Sequence, residues 1–140
     1  MDLNDAIRIL KENGYKYTGR RVDMLEYLSR EDRYLTAKEI LLKMRETYPQ
    51  LSFDTVYRNL SLYVELGILE STELSGEKQY RFNCDVDSHH HHFICIQCGK
   101  TKEIHMCPMK NLTEELEGLT IKDHKFEIYG YCQYCQECTA

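Results

Sequence analysis

The sequence predicts an α+β fold in two parts: several helices closed by a two-stranded hairpin, then a small α/β unit organised around cysteines. Three observations predict it. Apolar residues recur at helical spacing up to Leu66, and after Gly67 the pattern changes to short strand-like runs. All seven cysteines fall between residues 84 and 138. They include the pairs Cys95-x-x-Cys98 and Cys132-x-x-Cys135, and four consecutive histidines stand just before the first pair.

Leu3, Ala6, Ile7 and Leu10 set out a first helix over residues 3–13, and Asn13-Gly14 stops it. A second starts at Thr18, with Val22, Leu25 and Leu28 inward. A third starts at Thr36, where Thr36-Ala37-Lys38-Glu39 reads as a capping box, carries Ile40, Leu41 and Met44, and is followed by Pro49. The fourth opens at Ser52 and runs through Thr55, Val56, Leu60 and Tyr63 to Leu66, capped by Gly67. Strands over Ile68–Leu74 and Lys78–Cys84 flank a Ser75-Gly76-Glu77 turn. Helices followed by such a hairpin describe a winged helix-turn-helix, in which the fourth helix is the reader of a DNA groove. That helix presents Asp54, Thr55, Tyr57, Arg58, Asn59 and Ser61 between its apolar positions. Arg58 suits a guanine edge or a phosphate, Asn59 an adenine, and the Tyr57 ring a thymine methyl.

Charge sets a condition on that reading. The net charge is −5: thirteen basic against fourteen acidic residues over 1–83, and five against nine over 84–140. DNA binding must then rest on a few placed cations or on dimerisation, because no overall basic balance supplies it. No apolar run approaches the roughly 18 residues that span a bilayer. The acidic start, Met1-Asp2-Leu3-Asn4-Asp5, is unlike a secretory leader, so a cytoplasmic location without a membrane partner is expected.

An odd cysteine count beside a histidine run fits metal ligation better than a disulfide framework. Two residues between thiolates let both sulfurs meet one tetrahedral ion, and Cys95, Cys98, Cys132 and Cys135 together make a four-cysteine zinc site. Four sulfurs close the coordination shell, so the site is structural. Cys138 extends the spacing and is an alternative to Cys132 or Cys135, whereas Cys107 reads as a small buried residue. The 33 residues between the pairs must hold structure of their own: a strand around Thr101–His105, a helix over Pro108–Gly118 and a strand around His124–Tyr129.

The histidine run is internal and enters a strand-like segment, which distinguishes it from an expression tag. Alternation in a strand divides it into two half-sites. His90 and His92 share one face, where Cys84 can join them and either Glu70 or Glu103 can supply a fourth ligand; a thiolate with two imidazoles selects zinc. His89 and His91 share the other face, where His124 can meet them in a third site. No His-Glu-x-x-His pattern accompanies these groups, so neither an enzyme nor a small-molecule substrate is expected.

Three segments carry a resemblance to a known family. Asp54-Thr55-Val56-Tyr57-Arg58-Asn59-Leu60, HHHHFICIQCGK at 89–100 and HKFEIYGYC at 124–132 resemble the ferric uptake regulator family, in that order and over nearly the whole chain. The resemblance implies a homodimeric winged-helix repressor that binds palindromic double-stranded operator DNA when its sensory metal is bound. It implies a winged-helix domain over 1–84, a hinge over 85–88 and a metal-binding α/β dimerisation domain over 89–140. Lys16, Thr18 and Arg21 match a DNA-contacting segment, and Tyr57 and Arg58 match the reading helix. Iron and peroxide sensors of the family place a histidine just before the third helix, where this chain has Arg33-Tyr34-Leu35-Thr36. Zinc sensors place a cysteine before the histidine run, here Cys84, and an acid fourteen positions earlier, here Glu70. The resemblance thus implies a zinc-responsive repressor of zinc uptake genes, with an iron- or peroxide-responsive regulator as the alternative. It also implies one structural zinc, one regulatory zinc and a third site per chain. At that third site the family's acidic ligand aligns with Lys110, a departure from the pattern.

Overall fold

The structure, a computed structural model, describes residues 1–83 and 90–135. Cys84, the 85–88 hinge, His89 and Cys138 lie outside the described residues. The chain divides into two compact units, Met1–Val86 and Asp87–Ala140.

The first unit is four helices and a three-stranded sheet. Helix α1 (Leu3–Glu12) begins at a capping box between Asp2 and Asp5. Helix α2 (Gly19–Arg30) buries Met24, Leu25 and Leu28. Strand β1 (Leu35–Thr36) leads into α3 (Ala37–Met44). There Thr36 and Glu39 close the expected capping box, each side chain accepting from the other's backbone N–H. Helix α4 (Phe53–Glu65) is capped by Ser52, whose hydroxyl accepts from the Thr55 N–H. It ends where Gly67 adopts φ +77°, a conformation that costs a side-chain-bearing residue more than glycine.

The hairpin is shifted by one residue from the sequence expectation. Strands β2 (Leu69–Leu74) and β3 (Glu77–Phe82) pair antiparallel with Leu74 opposite Glu77, so Glu77 belongs to the strand. Ser75 and Gly76 form a two-residue turn with φ +53° and +79°, the double positive φ whose twist matches the flanking strands. β1 adds to β3 and gives the order β1-β3-β2. A two-residue strand has no periodicity to read, so β1 was not expected. One core joins α1 to α4 and the hairpin, with Leu10, Met24, Ile40, Val56, Leu60 and Tyr80 fully buried.

In the second unit β4 (His91–Cys95) is the central strand of a three-stranded sheet, between antiparallel β5 (Thr101–Ile104) and parallel β6 (Glu127–Gly130). The helix expected over Pro108–Gly118 is not formed. A 3-10 turn spans Pro108–Asn111, and turns joined by single hydrogen bonds such as Leu116 N–H to Leu112 O continue it. Almost nothing in this stretch is buried, and Glu114, Glu115 and Glu117 would oppose the dipole at its C-terminal end. Strand β6 also starts later than expected. The His124 N–H donates to its neighbour Asp123 at 2.8 Å, which takes His124 out of the ladder. Among the described residues no helix is long and apolar enough to cross a membrane.

Candidate metal centres and nucleic-acid face

The two Cys-x-x-Cys turns meet at one end of the second sheet. Cys95 closes β4 and its N–H donates to Lys100 O, while the Gly99 N–H donates to Cys95 O, folding residues 95–100 into a knuckle. Gly130 at the end of β6 pairs with Cys95 and brings Cys132 alongside, where the Cys135 N–H donates to Cys132 O in a second turn. The four sulfurs lie within 4.8 Å of one another, and Cys98 Sγ and Cys132 Sγ are 3.8 Å apart. A tetrahedron with metal–sulfur bonds of about 2.3 Å has edges of roughly 3.8 Å, so the cluster has the dimensions of a zinc tetrathiolate centre.

Its electrostatics also favour a cation. Burial opposes the Cys95 thiolate, but N–H groups of Cys98, Cys132 and Gln97 outweigh it and bring that thiol down to about 6. The Cys132 thiol also lies below its ordinary value: desolvation opposes the thiolate, but hydrogen bonds from Cys135 and the Tyr134 N–H outweigh it. Hydrogen bonding to Cys132 and desolvation push the Cys135 thiol up, and desolvation raises that of Cys98. Two sulfurs thus favour the thiolate, while the other two keep protons that a metal would displace.

The histidines divide by strand alternation. The His90 and His92 rings meet edge to face at 4.9 Å. Glu103 sits opposite His92 in the β4–β5 ladder, and directly opposed residues point to one face. His90 Nε2 and Glu103 Oε1 are 3.8 Å apart, and these three residues form a cluster of potential ligand atoms. Glu70 is half-buried on β2 of the other unit. Cys84, expected to join this set, is outside the described residues.

The opposite face carries His91, buried, with its ring 5.2 Å from that of His124 and edge-on to Phe126 at 5.6 Å. The expected partner His89 is outside the described residues. The group that does meet them is Cys107, whose Sγ lies 3.5 Å from His124 Nε2. Its expected role as a small buried residue is therefore incorrect: it is only partly buried and lies beside two imidazoles. Its spacing from the other cysteines gave no such signal, because β5 and the turn after it bring it back beside β4. Lys110 is exposed on the 3-10 turn.

On the first unit, Lys16, Thr18, Arg21, Thr55 and Asn59 line one surface depression, and Arg58 joins Arg21, Thr55 and Asn59 around an adjacent one. The start of α2 and the first turns of α4 thus converge on one face. Arg21 donates to Lys16 O at 2.7 Å, which holds the connecting loop. Arg20, which the sequence reading passed over, also lines the depression, with its guanidinium over the Tyr48 ring. Tyr57 is exposed and stacked on Phe53, while Val56, Leu60 and Tyr63 face the core. Arg58 pairs with Asp54 one turn away, and both are about three-quarters exposed.

The ferric uptake regulator family model matches residues 12–129. A ferric uptake regulation protein of Staphylococcus epidermidis is 55% identical over 137 residues, covering 98% of this chain and 99% of that protein. Among solved structures, a zinc uptake regulator complexed with zinc and DNA superposes with a TM-score of 0.71 at 26% identity, over 98% of this chain and 94% of that one. The Helicobacter pylori ferric uptake regulator, which has three functional metal-binding sites, superposes at 0.75 and 24% identity over 97% and 95%; at that identity the likeness is one of fold.

Proposed function

The chain belongs to the ferric uptake regulator family of transcriptional regulators, and from that premise we propose that it is a zinc-responsive repressor that binds palindromic operator DNA as a homodimer. The observation that carries metal responsiveness is the His90–His92–Glu103 cluster at the start of β4, just beyond the proposed 85–88 hinge. Zinc as the signal follows from Cys84, since a thiolate beside two imidazoles favours zinc over harder ions. The proposed sensory set is Glu70, Cys84, His90 and His92, with Glu103 as the alternative carboxylate. The structural site is Cys95, Cys98, Cys132 and Cys135.

The proposed sensory ligands come from both sides of the hinge, Glu70 and Cys84 before it and His90 and His92 after it. With that set incomplete, the two reading helices of a dimer sample many separations, few of which match half-sites one helical turn apart. Completing the set restricts the hinge and raises the DNA-competent population. Bound zinc supplies coordination bonds and positive charge to an acidic chain, which favours approach to phosphates. Lys16, Thr18, Arg21, Thr55, Tyr57, Arg58 and Asn59 are the proposed contacts, and the gathering of six of them around two adjacent depressions supports this reading. Self-association is supported by the exposed apolar side chains of the second unit, among them Leu119, Ile121, Ile128 and Tyr129. We place its action in the cytoplasm, at zinc uptake genes.

Cys84→Ser is expected to abolish zinc-dependent operator binding while leaving a folded dimer. Normal zinc dependence in that variant would overturn the sensory assignment. A second reading, iron sensing, is favoured by the same cluster, because two histidines and one carboxylate also make a ligand set for iron(II). Relatives bearing the ferric name support it too. Operator binding at buffered free zinc, iron(II) and manganese(II) separates the two: activation by iron(II) but not zinc at cellular levels selects iron.

A further inference from the structure

We propose that Cys107 is a metal ligand, and that His91, Cys107 and His124 form a thiolate-containing centre for zinc or a similarly thiophilic divalent cation. The proposal deepens the reading of a third site, with Cys107 in the role that Lys110 cannot fill. It stands on side-chain geometry within one unit and does not depend on which metal the repressor senses.

Three features converge. The separation of Cys107 Sγ from His124 Nε2, 3.5 Å, matches the sulfur–nitrogen edge of a tetrahedron with bonds of about 2.3 and 2.1 Å, roughly 3.6 Å. His91 offers a ring nitrogen within 4.8 Å of both atoms from a buried position on the central strand. The backbone also holds the three together. His91 pairs with Ile104 at the end of β5, Cys107 follows three residues later, and Pro108 fixes the turn that starts there. Cys107 is the extended cap residue immediately before the 3-10 turn that carries Lys110. A ligand lost at 110 can be recovered at 107. Phe126 packs on the His91 ring and limits its rotation.

The chemistry assigns the cation. One thiolate and two imidazoles bind zinc in preference to manganese(II) or iron(II). A fourth tetrahedral position is left for His89, expected at this site, or for water. Cys107 thus converts a site that an acidic ligand would leave open to harder ions into one selective for zinc.

The test uses the full-length protein with zinc and cobalt(II) as probes. In the unmodified chain, alkylation of the Cys107 peptide read by mass spectrometry should be suppressed by zinc and restored by mild chelation that leaves the four-cysteine site filled. Cys107→Ser should lower the stoichiometry by one weakly held zinc per chain, or weaken that zinc about tenfold or more, since even second-shell changes cost 10–100-fold. Cys107→Asp should keep cobalt(II) at this site while removing one thiolate's charge-transfer absorption, and should move the preference toward manganese(II). The competing account is a sulfur–imidazole hydrogen bond alone. It predicts equal alkylation with and without zinc and unchanged metal content in Cys107→Ser, and that result overturns the proposal. Operator binding is read separately, so an iron-responsive outcome there leaves this test intact.

Discussion

At the residue scale, Arg58 separates a functional assignment from a structural one. Its guanidinium pairs with exposed Asp54, and exposed pairs of this kind contribute about 0–1 kcal/mol. Arg58→Ala should therefore leave the melting behaviour nearly unchanged, within about 0.5 kcal/mol. Operator affinity should fall by about 1–3 kcal/mol if the side chain reaches a base edge. A thermal melt and an operator titration on the same sample check both parts; a loss of stability with unchanged DNA affinity would reverse the assignment. Tyr57 carries a related lesson. Its 3.6-residue spacing alone allowed a core or an outward position, and its stacking on Phe53 outside the apolar stripe shows the outward one.

At the element scale, the junction of β4 and β6 positions the four-cysteine cluster proposed to hold a structural zinc. Gly130 pairs with Cys95, and a Cβ added there would come 3.1 Å from Phe93 Cε2. That distance requires the Phe93 ring or β6 to give way, and Cys132 is only two residues further along. Gly130→Val should therefore weaken zinc retention at the four-cysteine site and cost about 1–3 kcal/mol through overpacking. Zinc release to a chromophoric chelator measures it, and release at the wild-type rate would show that Phe93 rotates away freely. The first unit gives the contrasting case. Its capping boxes and Ser52 cap could be read from residue types alone, because capping depends on side chains within three positions of each other.

At the scale of the whole molecule, the two units are stabilised by different means. Met1–Val86 holds a continuous core from α1 to β3, whereas the buried apolar side chains described in the second unit are Ile94, Cys95 and Cys135. For so small a core the proposed zinc would act as the staple. Removing all zinc should unfold the second unit and leave the first folded, giving an N-terminal fragment that ends near Val86 on limited proteolysis. Acid should act in the same direction. The Cys95 thiol lies below its ordinary value, so its thiolate contributes fully above that ordinary value and is lost as pH falls through about 6. Cys98 and Cys135 already carry protons at higher pH. Apparent zinc affinity in a competition titration should therefore fall as pH is lowered, and more steeply below about pH 6, where Cys95 also takes a proton. A single cooperative loss of both units on chelation would mean that the winged helix has no independent stability.

Local rules determined much of this in the sequence. Capping residues, helical apolar stripes, the glycine turn and the Cys-x-x-Cys spacing each act over a few neighbouring residues, so the four helices, the hairpin and the four-sulfur cluster were all legible. Strand alternation, equally local, assigned His90 with His92 and set His91 apart. Tertiary structure decided what depends on residues far apart in the chain. It added β1 through pairing with β3, left a 3-10 turn where the Pro108–Gly118 helix was expected, and brought Cys107 to His91 and His124. Spacing can predict a ligand pair within one turn. It cannot predict a thiol returned by a strand and a loop to a histidine far behind it in the chain.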